Sequence, residues 1–265
     1  MTGPGLIDAH AHLGLPGQFF IPDGRCEEMI QRMDALGFVR AICCGDMVDI
    51  AEGPQEGLAT LRRLYEQTRG RTPYLGVFDP RDADRSLRIL KDAARQEGFV
   101  GIKLHPSFHR TAADDPVYRR AWEFAAEHDV AIMSHSWSPS DYNPAQSLST
   151  PRMFQRHVEE FPQVRFVLGH AGGRGSGRLE AVRLAGQFPN VFVDIAGDIF
   201  CFELIESLVR SVGAHKVLFG SDWPWFDLRS RLCQVLLAEV DEPAKEKILR
   251  GNALTVYKLG SPNAR

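Results

Sequence analysis

No segment of the chain approaches the roughly 18 consecutive apolar residues that a bilayer crossing requires. The first residues, MTGPGLIDAHAHLG, lack both the basic start and the apolar run of a secretory leader. The expected compartment is therefore the cytoplasm, with no membrane partner. No run of like charges is long enough to form a nucleic-acid footprint: 31 basic and 34 acidic side chains are scattered to a formal net charge of -3. The five cysteines are an odd number without C-x-x-C spacing, which suggests neither a disulfide framework nor a cysteine zinc site and reads as buried or idle thiols. Also missing are a G-x-S-x-G elbow, a strong dinucleotide-binding fingerprint and a catalytic-cysteine motif. The glycine-rich stretch from Gly172 to Gly177 lacks the lysine and hydroxyl of a P-loop and reads as a tight turn.

What is present is a repeating unit. Short apolar, β-branched runs begin near Leu6, Val39, Tyr74, Phe99, Val130, Val164, Val191 and Val217, about 25 to 35 residues apart, the length of one strand and one helix. Between them lie helical periodicities. Val117, Ala121, Phe124 and Ala125 share one face, and Ile205, Leu208, Val209 and Val212 another. VAIM at 130–133 and VRFVLG at 164–169 are nearly all apolar, as strands covered on both faces must be. A closed barrel and an open doubly wound sheet both fit this order and place ligands at the carboxyl ends of the strands. Polar residues stand at nearly every strand end, which favours the barrel. The expected fold is α/β, a (β/α)8 TIM barrel forming one domain over 1–265. Loops 13–25 and 138–150 should overhang its mouth, with Phe19 and Phe20 as part of a lid.

The chemistry-bearing residues sit where strands end. Asp8-Ala9-His10-Ala11-His12 closes the first strand, and the two-residue period of a strand turns both imidazoles to one side. Lys103 and His105 follow at the fourth, His135 at the fifth, His170 at the sixth and Asp222 at the eighth. His128, His157 and His215 fall elsewhere and read as surface or packing residues. Imidazole and carboxylate donors suit Zn²⁺ and similar divalent ions, and three or four of them leave a position open for water or substrate.

DAHAH at 8–12, GIKLHP at 101–106, SH at 134–135, GHAGG at 169–173, GSDWP at 220–224 and GNA at 251–253 together carry a family resemblance over nearly the whole chain. The sequence resembles the amidohydrolase-related (amidohydrolase 2) metal-dependent hydrolases, which include aminocarboxymuconate semialdehyde decarboxylase and related lactonases. The resemblance implies that His10, His12, His135 and Asp222 bind the metal, with His170 beside it activating water or polarising the substrate. Asp222 is also placed to act as general base, and Asp8 to orient a ligand. One divalent ion is expected, Zn²⁺ first, with Mn²⁺ or Fe²⁺ as alternatives. A second follows only if Lys103 is carboxylated and bridges two metals, as in other branches of the superfamily. Otherwise Lys103 binds a substrate carboxylate or pairs with Asp222. His105 and Arg174 are further candidates for holding substrate, and Trp137 and Trp223, with Trp225, for walling an aromatic pocket.

The leading expectation is an enzyme that hydrolyses an ester, lactone or amide bond of a small carboxylated molecule through metal-activated water. The alternative is non-oxidative decarboxylation of an unsaturated or aromatic acid, which the same residues serve. The chain is short for the family's decarboxylases, and this tips the expectation toward hydrolysis. A barrel that binds without turnover is a third reading. A homodimer is the default expectation for assembly.

Overall fold

A computed structural model describes residues 5–13, 26–45 and 53–260. The proposed lid residues Phe19 and Phe20 lie outside them. Eight strands follow in sequence order around one sheet: β1 Leu6–His12, β2 Phe38–Cys44, β3 Tyr74–Val77, β4 Phe99–Leu104, β5 Ala131–Ser134, β6 Phe166–Leu168, β7 Val191–Asp194 and β8 Val217–Leu218. All seven neighbouring pairs are parallel. The segment after β8 closes the circle on β1: Ala9 N donates to Phe219 O at 2.9 Å, and His12 N to Trp223 O at 2.7 Å. The expected TIM barrel is therefore the observed fold.

The outer layer includes α1 Cys26–Leu36, α2 Pro54–Gln67, α3 Ala83–Ala93, α4 Arg119–His128, α5 Gln155–Glu160, α6 Ser176–Gln187, α7 Leu204–Val212 and α8 Leu228–Leu236. Their apolar stripes explain their packing. In α7, Ile205, Leu208 and Val212 are buried on one face, and in α4 Ala121, Phe124 and Ala125 are. Val117, assigned to the same face, lies in a short turn just before α4 and packs against the core from there. Each fully buried Leu, Ile or Phe of this layer contributes about 1.5–3 kcal/mol. Local starts are capped: the Asp82 carboxylate accepts from Arg85 N ahead of α3, and Asp227 accepts from Arg229 N ahead of α8.

A second, smaller cluster gathers Ile7, Ile42, Cys44, Leu75, Met133, Val167 and Leu218 from the inner faces of the strands. Val256 and Tyr257 pack onto it. Arg250 donates to Gly5 O just before β1, so the C-terminal segment covers the amino end of the barrel. Between Asp8 and Ala11 the pairing with β2 slips, three steps along β1 matching two along β2 from Ala41 to Cys43. This bulge lets Ile7 face the inner cluster while His10 and His12, which an unbroken alternation would turn away from it, also face inward.

Candidate active site

His12 ends β1, and His105, His135, His170 and Asp222 follow β4, β5, β6 and β8, all at the carboxyl ends of their strands. Their rings form a row across the barrel mouth. His12 and His10 lie 4.9 Å apart between centroids, His10 and His170 5.0 Å, His170 and His135 5.0 Å, and His135 and His105 4.3 Å.

At one end of this row three atoms converge. His12 Nε2 is 3.1 Å from His10 Nε2 and 2.9 Å from Asp222 Oδ1, and His10 Nε2 is 3.6 Å from the same oxygen. Asp222 has a left-handed backbone, φ 64°, and its N–H is tied to His10 O at 2.9 Å. Burial alone would raise the Asp222 pKa, but the imidazoles of His170, His12 and His10 outweigh it and hold the carboxyl well below its ordinary range.

Behind His10 stands Asp194, at the end of β7, which sequence reasoning missed. Its Oδ2 accepts from His10 Nδ1 at 2.9 Å, and its Oδ1 accepts from the backbone N–H of His170 at 2.8 Å and of Ala196 at 3.0 Å. Burial opposes ionisation of Asp194, yet His10 and His170 hold its pKa down. An ionised carboxylate only accepts, so Nδ1 carries the His10 proton and Nε2 presents its lone pair to the centre. The same carboxylate holds His170 in its left-handed backbone, φ 62°. Gly197 makes room for that ring: a Cβ there would sit 2.6 Å from His170 Nδ1. The strand-end signal that exposed the other residues was present in VFVD at 191–194, but without a histidine to mark it.

His135 Nε2 donates to Gln146 Oε1 at 2.7 Å, which leaves Nδ1 to accept from His170 Nε2 at 3.1 Å. His170 Nδ1 is then buried without a hydrogen-bond partner among the described residues, 4.0 Å from Asp222 Oδ2. Burial lowers the His135 pKa to about 3 and the His170 pKa to about 4, with mutual repulsion between the two adding to His135. Both are neutral at physiological pH. His135 thus reaches the converging trio through His170 and is not itself in contact with it.

Lys103 is buried beneath the mouth, and its Nζ donates to His10 Nε2 at 2.8 Å. The expected pairing with Asp222 does not occur; the lysine takes the lone pair that Asp194 directs inward. Asp8 bonds to backbone and hydroxyl groups of the described residues. It accepts from His10 N at 3.1 Å and from the N–H and hydroxyl of Ser221, locking β1 to the residue before Asp222. Burial, partly offset by these bonds, pushes its pKa up to about 7.

Above the row lies a cavity of about 680 Å³ whose lining includes His105, Arg110, Trp137, Asp198, Trp225 and Phe226. Trp225 stacks on His12 at 4.4 Å, and Trp137 lies parallel to His135 at 6.0 Å. Tyr142, Asn143 and Gln146 bring the 138–150 loop over the mouth as expected. Three proposed substrate contacts fall outside the lining, Lys103 being buried beneath it. Trp223 bridges to Ala11 of β1 and packs half-buried against the outer core, while the turn closed by Trp225 N donating to Asp222 O at 2.9 Å carries the next tryptophan back over the cavity. Arg174 is held by Asp198, Nη2 to Oδ2 at 2.5 Å. Arg110, missed in the sequence, is on the rim, and among the described residues its side chain makes no hydrogen bond or ion pair. His157 and His128 pack against Trp122 and Phe124, and His215 is exposed. A groove of about 720 Å³ between α2 and α3 lies away from the strand ends and has no histidine in its lining.

The amidohydrolase family model matches residues 7–259. The chain belongs to the amidohydrolase family. This amidohydrolase-family enzyme is 25% identical over 225 residues to the γ-resorcylate decarboxylase of Rhodococcus jostii (strain RHA1), covering 67% of the chain and 68% of that relative. It is 23% identical over 249 residues to the 4-sulfomuconolactone hydrolase of Hydrogenophaga intermedia, covering 85% and 78%. Among solved structures it resembles a dihydroxybenzoic acid decarboxylase from Polaromonas sp. JS666 with bound manganese and 2-nitroresorcinol, with a TM-score of 0.74, 16% identity and coverage of 99% and 100%.

These comparisons overturn the expectation of hydrolysis. γ-Resorcylate decarboxylases recur among the relatives, and they favour the alternative reading. Chain length misled because it reports on surface loops, which vary freely, and not on the strand ends where the chemistry sits. No helix among the described residues is long and apolar enough to cross a membrane.

Proposed function

We propose that the chain, acting as one unit over residues 1–265, is a metal-dependent non-oxidative decarboxylase of a hydroxylated aromatic acid. The observation that carries this reading is the meeting of His10 Nε2, His12 Nε2 and Asp222 Oδ1 within 3.6 Å of one another beneath a cavity walled by aromatic rings. Named decarboxylases among the relatives support this reaction type.

The residues fit a divalent cation. A lone pair fixed by Asp194, a second imidazole nitrogen and an ionised carboxylate face one point, and the buried Nδ1 of His170 stands beside it without a partner among the described residues. His10, His12 and Asp222 would hold the ion, and His135 would join them as a fourth donor only by giving up its bond to His170. Two or three imidazoles with one carboxylate suit Zn²⁺, Mn²⁺ or Fe²⁺. When bound, such an ion supplies positive charge against which substrate oxygens are held.

The protein's own groups do the rest. Trp137 and Trp225 wall the ring and exclude water, while Arg110 on the rim pairs with the substrate carboxylate. Asp222, ionised at rest, takes the hydroxyl proton and returns it to the ring carbon that bears the carboxylate. The carbon–carbon bond then breaks, its electron pair returns to the ring, carbon dioxide leaves, and the phenolate takes a proton from solvent. Neutral His170 offers its Nδ1 lone pair to a second ring hydroxyl of the substrate and orients the ring.

The test is carbon dioxide release from a panel of hydroxybenzoic acids, with lactones assayed in parallel, before and after chelation and metal return. Metal-dependent release, reduced about 10²-fold or more in His170→Gln with metal content unchanged, supports the reading. Ring opening of a lactone with no carbon dioxide from any acid overturns it.

A further inference from the structure

The two histidines of β1 have a neighbour on each side. Toward β8 stands Asp222; toward β2 stands Cys44. Cys44 is paired in register with His12 on the adjacent parallel strand, so both side chains point the same way. Cys44 is fully buried and packs within the inner cluster, whereas Cys43, one residue earlier, belongs to the outer core. The sulfur of Cys44 and ring nitrogens of His10 and His12 all lie within 4.8 Å of one another. Three donors from two neighbouring strands thus surround one point inside the barrel.

We propose that Cys44 is a ligand of the metal centre and makes it selective for a thiophilic ion, Zn²⁺ or Co²⁺, over Mn²⁺. The proposal rests on the reading above that His10 and His12 hold the metal. A thiolate is a soft donor that favours Zn²⁺, while carboxylate and water suit Mn²⁺. The solved decarboxylase with bound manganese therefore marks a contrast in metal and not a template for it. Binding deprotonates the thiol, and the proton leaves to solvent. Asp222 and Cys44 flank the same pair of imidazoles, so the carboxylate remains available for proton transfer while sulfur takes part of the holding.

Cobalt(II) reports directly on sulfur ligation, because a thiolate bound to it absorbs in the near ultraviolet through charge transfer. Full-length protein, stripped by chelation and titrated with Co²⁺ alone, is expected to take up one equivalent and show that band. Cys44→Ser should lose the band, and Cys43→Ser, altered on the opposite face of β2, should keep it. Competition between Zn²⁺ and Mn²⁺ should show the wild-type preference for Zn²⁺ falling about tenfold or more in Cys44→Ser. One equivalent of Co²⁺ bound without the near-ultraviolet band in wild type overturns the sulfur ligand and leaves the histidine site standing. No uptake of Co²⁺ at all overturns both. The wild-type spectrum decides the question even if Cys44→Ser does not fold.

Discussion

Asp194 Oδ2 accepts the Nδ1 proton of His10 at 2.9 Å, across 184 residues of sequence and with both groups buried. That bond fixes the tautomer of a histidine whose other nitrogen faces the candidate metal position. Asp194→Asn is isosteric but can offer its amide N–H to His10 Nδ1, which drives the proton to Nε2 and blocks the lone pair. Metal affinity is expected to fall about 10- to 100-fold. Titration of stripped protein with Zn²⁺ checks it; affinity equal to wild type would mean that the Asp194 bond serves only the His170 backbone.

Lys103 competes for the same lone pair, since its Nζ lies 2.8 Å from His10 Nε2. A metal held by His10 must displace that hydrogen bond, so Lys103→Met should bind metal at least as tightly as wild type. The expected content is one equivalent per chain in both proteins, measured by elemental analysis after saturation with metal and removal of the excess. Two equivalents in wild type, falling to one in Lys103→Met, would show instead that a carboxylated lysine bridges a pair of ions.

The barrel was legible because its signal is repeated: apolar runs at regular spacing and a polar residue closing most of them. His10, His12, His135, His170 and Asp222 were legible for the same reason, each a metal-binding type at a strand end. Asp194 occupies an equivalent position on β7, but an aspartate after an apolar strand is also an ordinary turn residue, and only the fold shows that it meets His10. Trp223 and Trp225 could not be separated by sequence, because the turn that Trp225 N closes on Asp222 O decides which of them faces the cavity. Cys44 read as idle because cysteine motifs are sought along the chain, whereas its partners stand on the neighbouring strand.

Lys216 offers a test of burial away from the site. Its ammonium donates to the carbonyls of Phe188, Pro189 and Val191, and burial lowers its pKa to about 8. An unfolded lysine titrates near 10.4. Between those values the unfolded chain binds more protons than the folded one, so this group makes stability rise with pH over that window. Relative to Lys216→Met, wild type should gain urea resistance from pH 8 to pH 10. A relative loss over the same window would show that the three carbonyls hold the ammonium charged despite burial. At pH 7 the variant should be less stable by about 1–3 kcal/mol, because the carbonyls lose their shared donor.

Arg110 and Arg174 separate substrate recognition from rim structure. Both are exposed and near the mouth, yet Arg174 is bound to Asp198 while Arg110 lines the cavity without a partner among the described residues. If Arg110 pairs with the carboxylate of an aromatic acid, Arg110→Ala removes a charge-assisted interaction that contributes about 1.5–3 kcal/mol, and KM should rise about 10- to 100-fold. Because the carboxylate is lost in the reaction, the variant should keep most of its kcat, the pairing being strongest before the bond breaks. Arg174→Ala, whose partner Asp198 also lines the cavity, should change KM by less than about threefold, since surface ion pairs of this kind are worth little. Steady-state kinetics on one accepted hydroxybenzoic acid would settle both, and a larger KM effect from Arg174 than from Arg110 would return carboxylate recognition to the loop after β6.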